Sequence, residues 1–209
     1  MTTSIYATLL IALVLAYLLG SVPFAVLVSR VFGLADPRSY GSKNPGATNV
    51  LRSGNKKAAA LTLLGDGFKG WLAVYLAQRF AFQFGLTDTH VALIGLTAFL
   101  GHLYPIFLKF KGGKGVATAA GVLLALSPLL GLSVLAMWIG TVYFFRYSSL
   151  GALVAAASAP LFAALSSGMN GVVMVVALMS MALIGKHWGN LQRLLAGQEP
   201  KLGQKKKPA

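Results

Sequence analysis

GHLYPIFLKFKGGKGVAT, Gly101 to Thr118, decides how the rest of the chain is read, because three lysines and four glycines there interrupt a sequence that is otherwise almost entirely apolar. A hydrophobic membrane segment runs into it and another runs out. Glycines let backbone N–H groups approach an anion closely, a helix starting just after them points its positive end the same way, and Lys109, Lys111 and Lys114 add full charge. These are the ingredients of a phosphate-binding turn. It is not a Walker A loop, which needs Gly five residues before Gly113 and Ser or Thr after Lys114, where this sequence has Leu108 and Gly115. The competing reading is a cytoplasmic loop whose lysines only set topology.

Outward from this turn the chain is built for a bilayer: of its 209 residues 56% are hydrophobic, and long segments carry no charge. It reads as an all-α polytopic membrane protein, with one integral-membrane domain over residues 1–200 and a short basic tail over 201–209 that is expected to be disordered. The formal net charge of +14 comes from 18 Lys and Arg set against only Asp36, Asp66, Asp88 and Glu199. Metal-dependent phosphotransfer clusters several carboxylates, and these are scattered, so no metal is expected. The absence of Cys excludes disulfides, thiolate nucleophiles and Cys-ligated metal centres. The first apolar run lacks a basic n-region and is longer than an h-region, so it does not read as a cleavable signal.

Hydropathy places seven transmembrane helices, at Ser4 to Val28, Ala58 to Phe80, Val91 to Leu108, Val116 to Leu126, Leu129 to Phe145, Leu150 to Leu165 and Val172 to Gly185. Gly20-Ser21-Val22-Pro23 is expected to bend the inner end of the first. In the second, Asp66 and Lys69 are three residues apart, so they can meet on one helical face and partly cancel inside the bilayer. The fourth offers roughly 17 Å of helix against a core of about 30 Å, and is expected to break at Pro128 or fail to span. Alternate connections hold Arg30, Arg38, Lys43, Arg52, Lys56 and Lys57, then the three turn lysines, then Arg146, then Lys186, Arg193, Lys201, Lys205, Lys206 and Lys207. The others, near Gln83 to His90, Ser127 to Pro128 and Ser166 to Asn170, hold no Lys or Arg. By the positive-inside rule the N-terminus is outside and the polar loops and C-terminus are cytoplasmic.

Two more stretches on the basic side concentrate polar groups. In the first loop, Gly41-Ser42-Lys43-Asn44-Pro45-Gly46-Ala47-Thr48-Asn49-Val50-Leu51-Arg52, the side chains of Ser42, Asn44, Thr48 and Asn49 can hydrogen-bond phosphate or sugar-like hydroxyls, and Arg52 can grip a phosphate with its two-pronged guanidinium. An ordinary turn would spend the same side chains on its own backbone. At the end of the seventh segment, Lys186-His187-Trp188-Gly189-Asn190-Leu191-Gln192-Arg193 sets His187 and Asn190 on neighbouring positions of one helical face. With His90 on the outer side, His187 and His102 are the candidates for a proton acceptor near neutral pH, although His102 can equally bond a neighbouring helix. Asp66, an ionisable group inside a span, is a functional hypothesis by default, with its pairing to Lys69 as the structural alternative. Ser148-Ser149 reads as an N-cap before the sixth segment, and either hydroxyl could also face a phosphate.

Three of these stretches together, GSKNPGATNVLR (Gly41 to Arg52), GHLYPIFLKFKGGKGVAT and KHWGNLQRL (Lys186 to Leu194), resemble the bacterial acyl-phosphate:glycerol-3-phosphate acyltransferases, the PlsY family. Gly20-Ser21-x-Pro23, Asp66-x-x-Lys69-Gly70 and Ser148-Ser149-Leu150 support the likeness, which covers effectively the whole chain. Gly67 and Trp188-Gly189 depart from the expected pattern and bear on local helix packing.

The resemblance implies a bacterial inner-membrane enzyme, with its active site on the cytoplasmic face, that moves a fatty acyl group from acyl phosphate to the 1-hydroxyl of glycerol 3-phosphate. The products would be lysophosphatidate and phosphate, the first step of phospholipid synthesis. It implies glycerol 3-phosphate, acyl phosphate and membrane lipid as partners, no cofactor, no nucleic acid and a monomer. By that likeness Ser42, Arg52, Lys114, His187 and Asn190 look like the glycerol-phosphate pocket, while Thr48, Asn49, the Gly112-Gly113 backbone and Ser149 look suited to the acyl-phosphate head, with Lys114 serving both and Asn44 among the binding groups. The hydroxyl proton could pass to His187 or to the departing phosphate; the second is favoured on the expectation of an exposed His187. A transporter of phosphorylated solutes is the rival reading, but transporters place such groups at the midplane between paired broken helices.

Overall fold

The computed structural model describes residues 2–203, and every regular element among them is helical. Lys205, Lys206 and Lys207 lie outside the described residues. The chain runs as α1 (Thr2–Gly20), α2 (Phe24–Val31), α3 (Ala47–Leu51), α4 (Lys56–Phe84), α5 (Asp88–Leu103), a 3-10 turn (Ile106–Leu108), α6 (Val116–Leu126), α7 (Pro128–Phe145), α8 (Ser148–Ser167), α9 (Gly171–Lys186) and α10 (Trp188–Leu195). The break between α1 and α2 falls on Ser21 to Pro23, at the expected bend.

The boundaries have local chemical causes. The Asn55 side chain accepts the Ala58 N–H at 2.9 Å to start α4, and Gly85, at φ +66°, ends it in the left-handed conformation. Ser127 caps α7, whose first residue is Pro128, so α6 stops after 11 residues as expected and cannot by itself cross a bilayer core of about 30 Å. The N-cap of α8 is Tyr147 and not Ser148 or Ser149, no side chain caps the helix, and the Ser149 hydroxyl donates to Glu199.

Four helical stretches are long and apolar enough to cross a membrane, Ile5–Val31, Asp88–Leu108, Pro128–Phe145 and Ser148–Ser167, and a fifth counts if α9 and α10, bent by 59°, are taken together. Of the seven expected segments, α4 has the length, at 29 residues, but carries Asp66, Lys69 and Arg79 within its apolar run. Arg79 sits near the end of α4 remote from Lys56, toward the connections that hold no other Lys or Arg.

Small residues let the helices close up, as lipid-embedded helices require. A Cβ on Gly121 of α6 would lie 1.9 Å from the Gly67 carbonyl oxygen of α4, and one on Gly70 would lie 2.4 Å from the Thr118 carbonyl. Gly67, a departure in sequence, is thus part of the closest α4–α6 contact. The α1–α5 crossing has the same character at Gly20 and Gly101, against the Ala98 and Tyr17 carbonyls. Around these crossings Val74, Phe99, Leu103, Val122 and Val176 form the buried core. Large apolar side chains on the opposite faces, such as Leu10, Leu64, Phe144 and Met174, are exposed, the pattern of helices whose outer solvent is lipid.

Candidate active site

The turn from Lys109 to Gly115 is shaped by its backbone. Lys109 and Phe110 adopt positive φ, at 52° and 62°, which turns the chain sharply after the 3-10 turn. Gly115, at φ +83°, starts α6 against the Phe99 ring, where a Cβ would come within 2.3 Å of a ring carbon. Lys109 and Lys111 are exposed, whereas Lys114 is partly buried. Gly113 donates its N–H to the His102 carbonyl at 3.1 Å, so of the two expected backbone donors this one is engaged within the fold.

Lys114 Nζ donates to Asn190 Oδ1. This contact joins the lysine turn to the third polar stretch, 76 residues later. Burial pushes Lys114 down to about 8, with Arg193 and Arg52 adding repulsion and Glu199 opposing it. Pro45 of the first loop borders one small hollow together with Gly112 and Gly113, which brings that loop to the same turn.

Beneath Lys114 the structure assembles a knot that sequence reading missed. Glu199 Oε1 accepts from Asn190 Nδ2 and from Ser149 Oγ, both at 2.6 Å, and Oε2 accepts from Arg193 Nε at 2.8 Å. Gly197, at φ +68°, folds the chain back after α10, and the Gln198 and Glu199 N–H groups both donate to the Arg193 carbonyl. Although burial alone would raise it, hydrogen bonds from Ser149, Asn190 and Arg193 hold Glu199 below its ordinary value, so it is a carboxylate at neutral pH. Ser149 thus meets a carboxylate where a phosphate was expected. The available signal was that Glu199 is the one carboxylate after Asp88 and lies six residues beyond Arg193.

His187 is buried, at 3% exposure, and not the exposed side chain expected. Its Nδ1 lies 2.9 Å from the Leu183 carbonyl, so that nitrogen carries the proton and Nε2 is left as the acceptor. The α9 span ends at Lys186, and just beyond it burial pushes His187 down to about 4. The two histidines considered as proton acceptors are separated in role, since His102 is engaged by Asp66.

In the first loop Asn49 is buried, and its polar groups are taken: Nδ2 donates to the Pro37 and Tyr40 carbonyls, and Oδ1 accepts the Ser42 N–H at 3.0 Å. Its contacts are those of a loop fastener. Ser42, Thr48 and Arg52 remain exposed and Asn44 half-buried. The tail is more ordered than expected where it is described. Leu202 donates its N–H to the Arg146 carbonyl and accepts from the Arg146 guanidinium, and Lys201 lies over the Tyr147 ring.

Next to the lysine turn, an apolar cleft opens between α6, α7, α8 and α9. Val116, Leu123, Trp138, Ala155, Ala159 and Leu183 line it. Val116 follows Lys114 by two residues, and His187 Nδ1 bonds the Leu183 carbonyl, so the lining of the oily slot runs on from the polar site.

A family model described as glycerol-3-phosphate acyltransferase matches residues 10–197. The chain belongs to this family. A glycerol-3-phosphate acyltransferase of Dechloromonas aromatica (strain RCB) is 66% identical over 197 residues, covering 94% of this chain and 98% of the relative. One of Ralstonia nicotianae (strain ATCC BAA-1114 / GMI1000) is 60% identical and covers 99% of both. A crystal structure of PlsY (YgiH), an integral membrane glycerol 3-phosphate acyltransferase, in its glycerol 3-phosphate form superposes with a TM-score of 0.86 at 38% identity, covering 94% of this chain and 96% of that one. A second form of that protein, with lysophosphatidic acid, superposes at 0.85. The sequence likeness to this family is thus borne out.

Proposed function

We propose that this protein transfers a fatty acyl group from acyl phosphate to the 1-hydroxyl of glycerol 3-phosphate, giving lysophosphatidate and inorganic phosphate. Membership of the family supports the acceptor. The observation that carries the site is the Lys114 to Asn190 contact, with the first loop reaching the same turn at Pro45 and the apolar cleft beginning at Val116, two residues beyond Lys114. Two phosphates need cations, and an acyl chain needs an oily seat beside them. Acyl phosphate is a mixed anhydride, already activated, so the donor chemistry asks mainly for orientation and charge stabilisation.

Lys114 is assigned to phosphate charge, Arg52 to a second set of phosphate oxygens, and Ser42, Asn44 and Thr48 to substrate oxygens in the first loop. Asn190 and His187 face the glycerol hydroxyls, and Gly112 contributes to the acyl-phosphate head. Asn49 and Ser149 are read as supports, for the loop and for Glu199 respectively. In the reaction the 1-oxygen of glycerol 3-phosphate attacks the acyl carbon. The bond from that carbon to the phosphate oxygen breaks, and phosphate leaves with the bonding pair. The hydroxyl proton goes to the departing phosphate, because a histidine held near 4 is a weak base at neutral pH while the phosphate oxygen is adjacent. His187 Nε2 accepts a hydrogen bond from the acceptor and orients it.

The same reading has seven spans in a bacterial inner membrane, the N-terminus outside, the site at the cytoplasmic face and a monomer. The clustering of all three polar stretches at one end of the bundle supports a single-sided site and speaks against translocation. Phosphate release from synthetic acyl phosphate by the purified protein tests the reading. Release that depends on glycerol 3-phosphate is expected, and release indifferent to that acceptor overturns it.

A further inference from the structure

One buried polar cluster is not used by the reaction above. Asp66, Lys69 and His102 are 3%, 1% and 7% exposed, in the midst of apolar helices. Lys69 Nζ lies 2.8 Å from Asp66 Oδ1 and donates to the Val22 carbonyl at 2.9 Å, inside the break between α1 and α2. His102 Nδ1 lies 3.3 Å from the same carboxylate oxygen. Ion pairs buried this deeply give little net stability over apolar side chains of the same volume, because desolvation offsets their attraction. What they supply is fixed geometry.

That geometry points at the lysine turn. The His102 carbonyl accepts the Gly113 N–H at 3.1 Å, and its ring lies directly under Gly113, so that a Cβ there would fall 2.1 Å from Nε2. A Cβ on Gly112 would fall 2.1 Å from the His102 carbonyl oxygen and 2.3 Å from Pro105 Cδ. One small hollow is bordered by Ser21, Pro45, Asp66, Lys69, His102 and Gly113, and so touches the α1–α2 break, the first loop, α4, α5 and the turn at once. Lys114 is the next residue along, and its ammonium reaches Asn190 from this footing.

We propose that the Asp66–Lys69–His102 cluster is the seat of the lysine turn, and that His102 is a positioning residue acting through Gly113 on Lys114. Asp66 fixes the imidazole, Lys69 fixes Asp66 against the α1–α2 break, and the imidazole with its own carbonyl fixes the glycine. The proposal rests on reading the turn as the acyl-phosphate seat.

His102→Ala leaves the Asp66–Lys69 pair intact and removes the ring. It is expected to raise the KM for acyl phosphate and the inhibition constant of inorganic phosphate by about tenfold each, with kcat changing less. His102→Asn puts an amide N–H where Nδ1 stood, restoring the bond to Asp66 but not the ring under Gly113, and is expected to recover only part of the loss, leaving both constants about threefold above the parent values. Both constants within about twofold of the parent in folded His102→Ala, or activity lost only in proportion to unfolded protein, overturns the assignment. If His102→Ala does not fold, His102→Asn decides alone: raised constants support the assignment and parental ones overturn it. Binding of inorganic phosphate to the same variants, followed by calorimetry in detergent, separates two failures. Phosphate that binds the parent and weakens in His102→Ala without any acyl transfer sinks the reaction proposed above and leaves the seat standing.

Discussion

Lys114 meets two demands at once: it must be charged to hold a phosphate, and burial, together with repulsion from Arg193 and Arg52, makes that charge harder to keep. Its value near 8 lies below that of an ordinary lysine, so the unfolded chain binds the proton more tightly than the folded one. Stability contributed by this group therefore rises with pH between about 8 and 10.5 and is lowest below about 8. Activity should move the opposite way. The pH profile of kcat/KM, which reports the free protein, is expected to fall as pH rises through about 8, and a profile flat to pH 10 would remove Lys114 from the reaction. Lys114→Ala should cut kcat/KM by about 10²–10³-fold or more without unfolding the protein, the scale on which a positioned charge donor acts. Glu199 acts one step back. Glu199→Gln leaves a neutral acceptor for three donors, and should cost about 1–3 kcal/mol in thermal unfolding while also lowering turnover, as Asn190 and Ser149 lose their charged partner.

Among the elements, α6 is the one on which the site turns, because it starts at the lysine turn and lines the apolar cleft. It is held by contact with α4 at Gly121 and Gly67, close enough that no side chain fits. Gly121→Ala should force the helices apart and cost about 1–3 kcal/mol, read as a lowered unfolding midpoint in detergent. On the other side of the cleft α8 presents alanines. Ala155→Leu, filling the slot beside Val116 and Leu183, should raise the KM for long-chain acyl phosphates while sparing short-chain ones, and equal effects on both would mean that the chain lies elsewhere.

For the molecule as a whole, the basic connections, the first loop and the α9–α10 corner converge on one end, with Lys186 Nζ donating to the Leu103 carbonyl there. Single cysteines added to this cysteine-free chain read the orientation directly. One at Lys109 should be labelled by a membrane-impermeant reagent only after the cytoplasmic side is exposed, and one at Thr87 from the outside in intact cells.

The sequence by itself determined the helical class, the segment limits to within a few residues and the three polar stretches that the fold brings together. Those follow from local physics: apolar runs of set length, caps and prolines at their ends, and cations gathered in alternate connections. Even the Asp66–Lys69 pair was legible, because its partners are three residues apart on one helix. Tertiary structure alone decided which polar groups face a substrate and which face each other. Asn49 and Ser149 look like ligands by residue type, yet one fastens its loop and the other meets Glu199, 50 residues away. His187 reads as an exposed side chain until the α9–α10 bend buries it, and which neighbouring helix His102 would bond is settled only when Asp66 of α4 meets it. Hydrogen-bonding capacity is a property of a residue, but whether that capacity is already spent depends on partners that only folding brings within 3 Å.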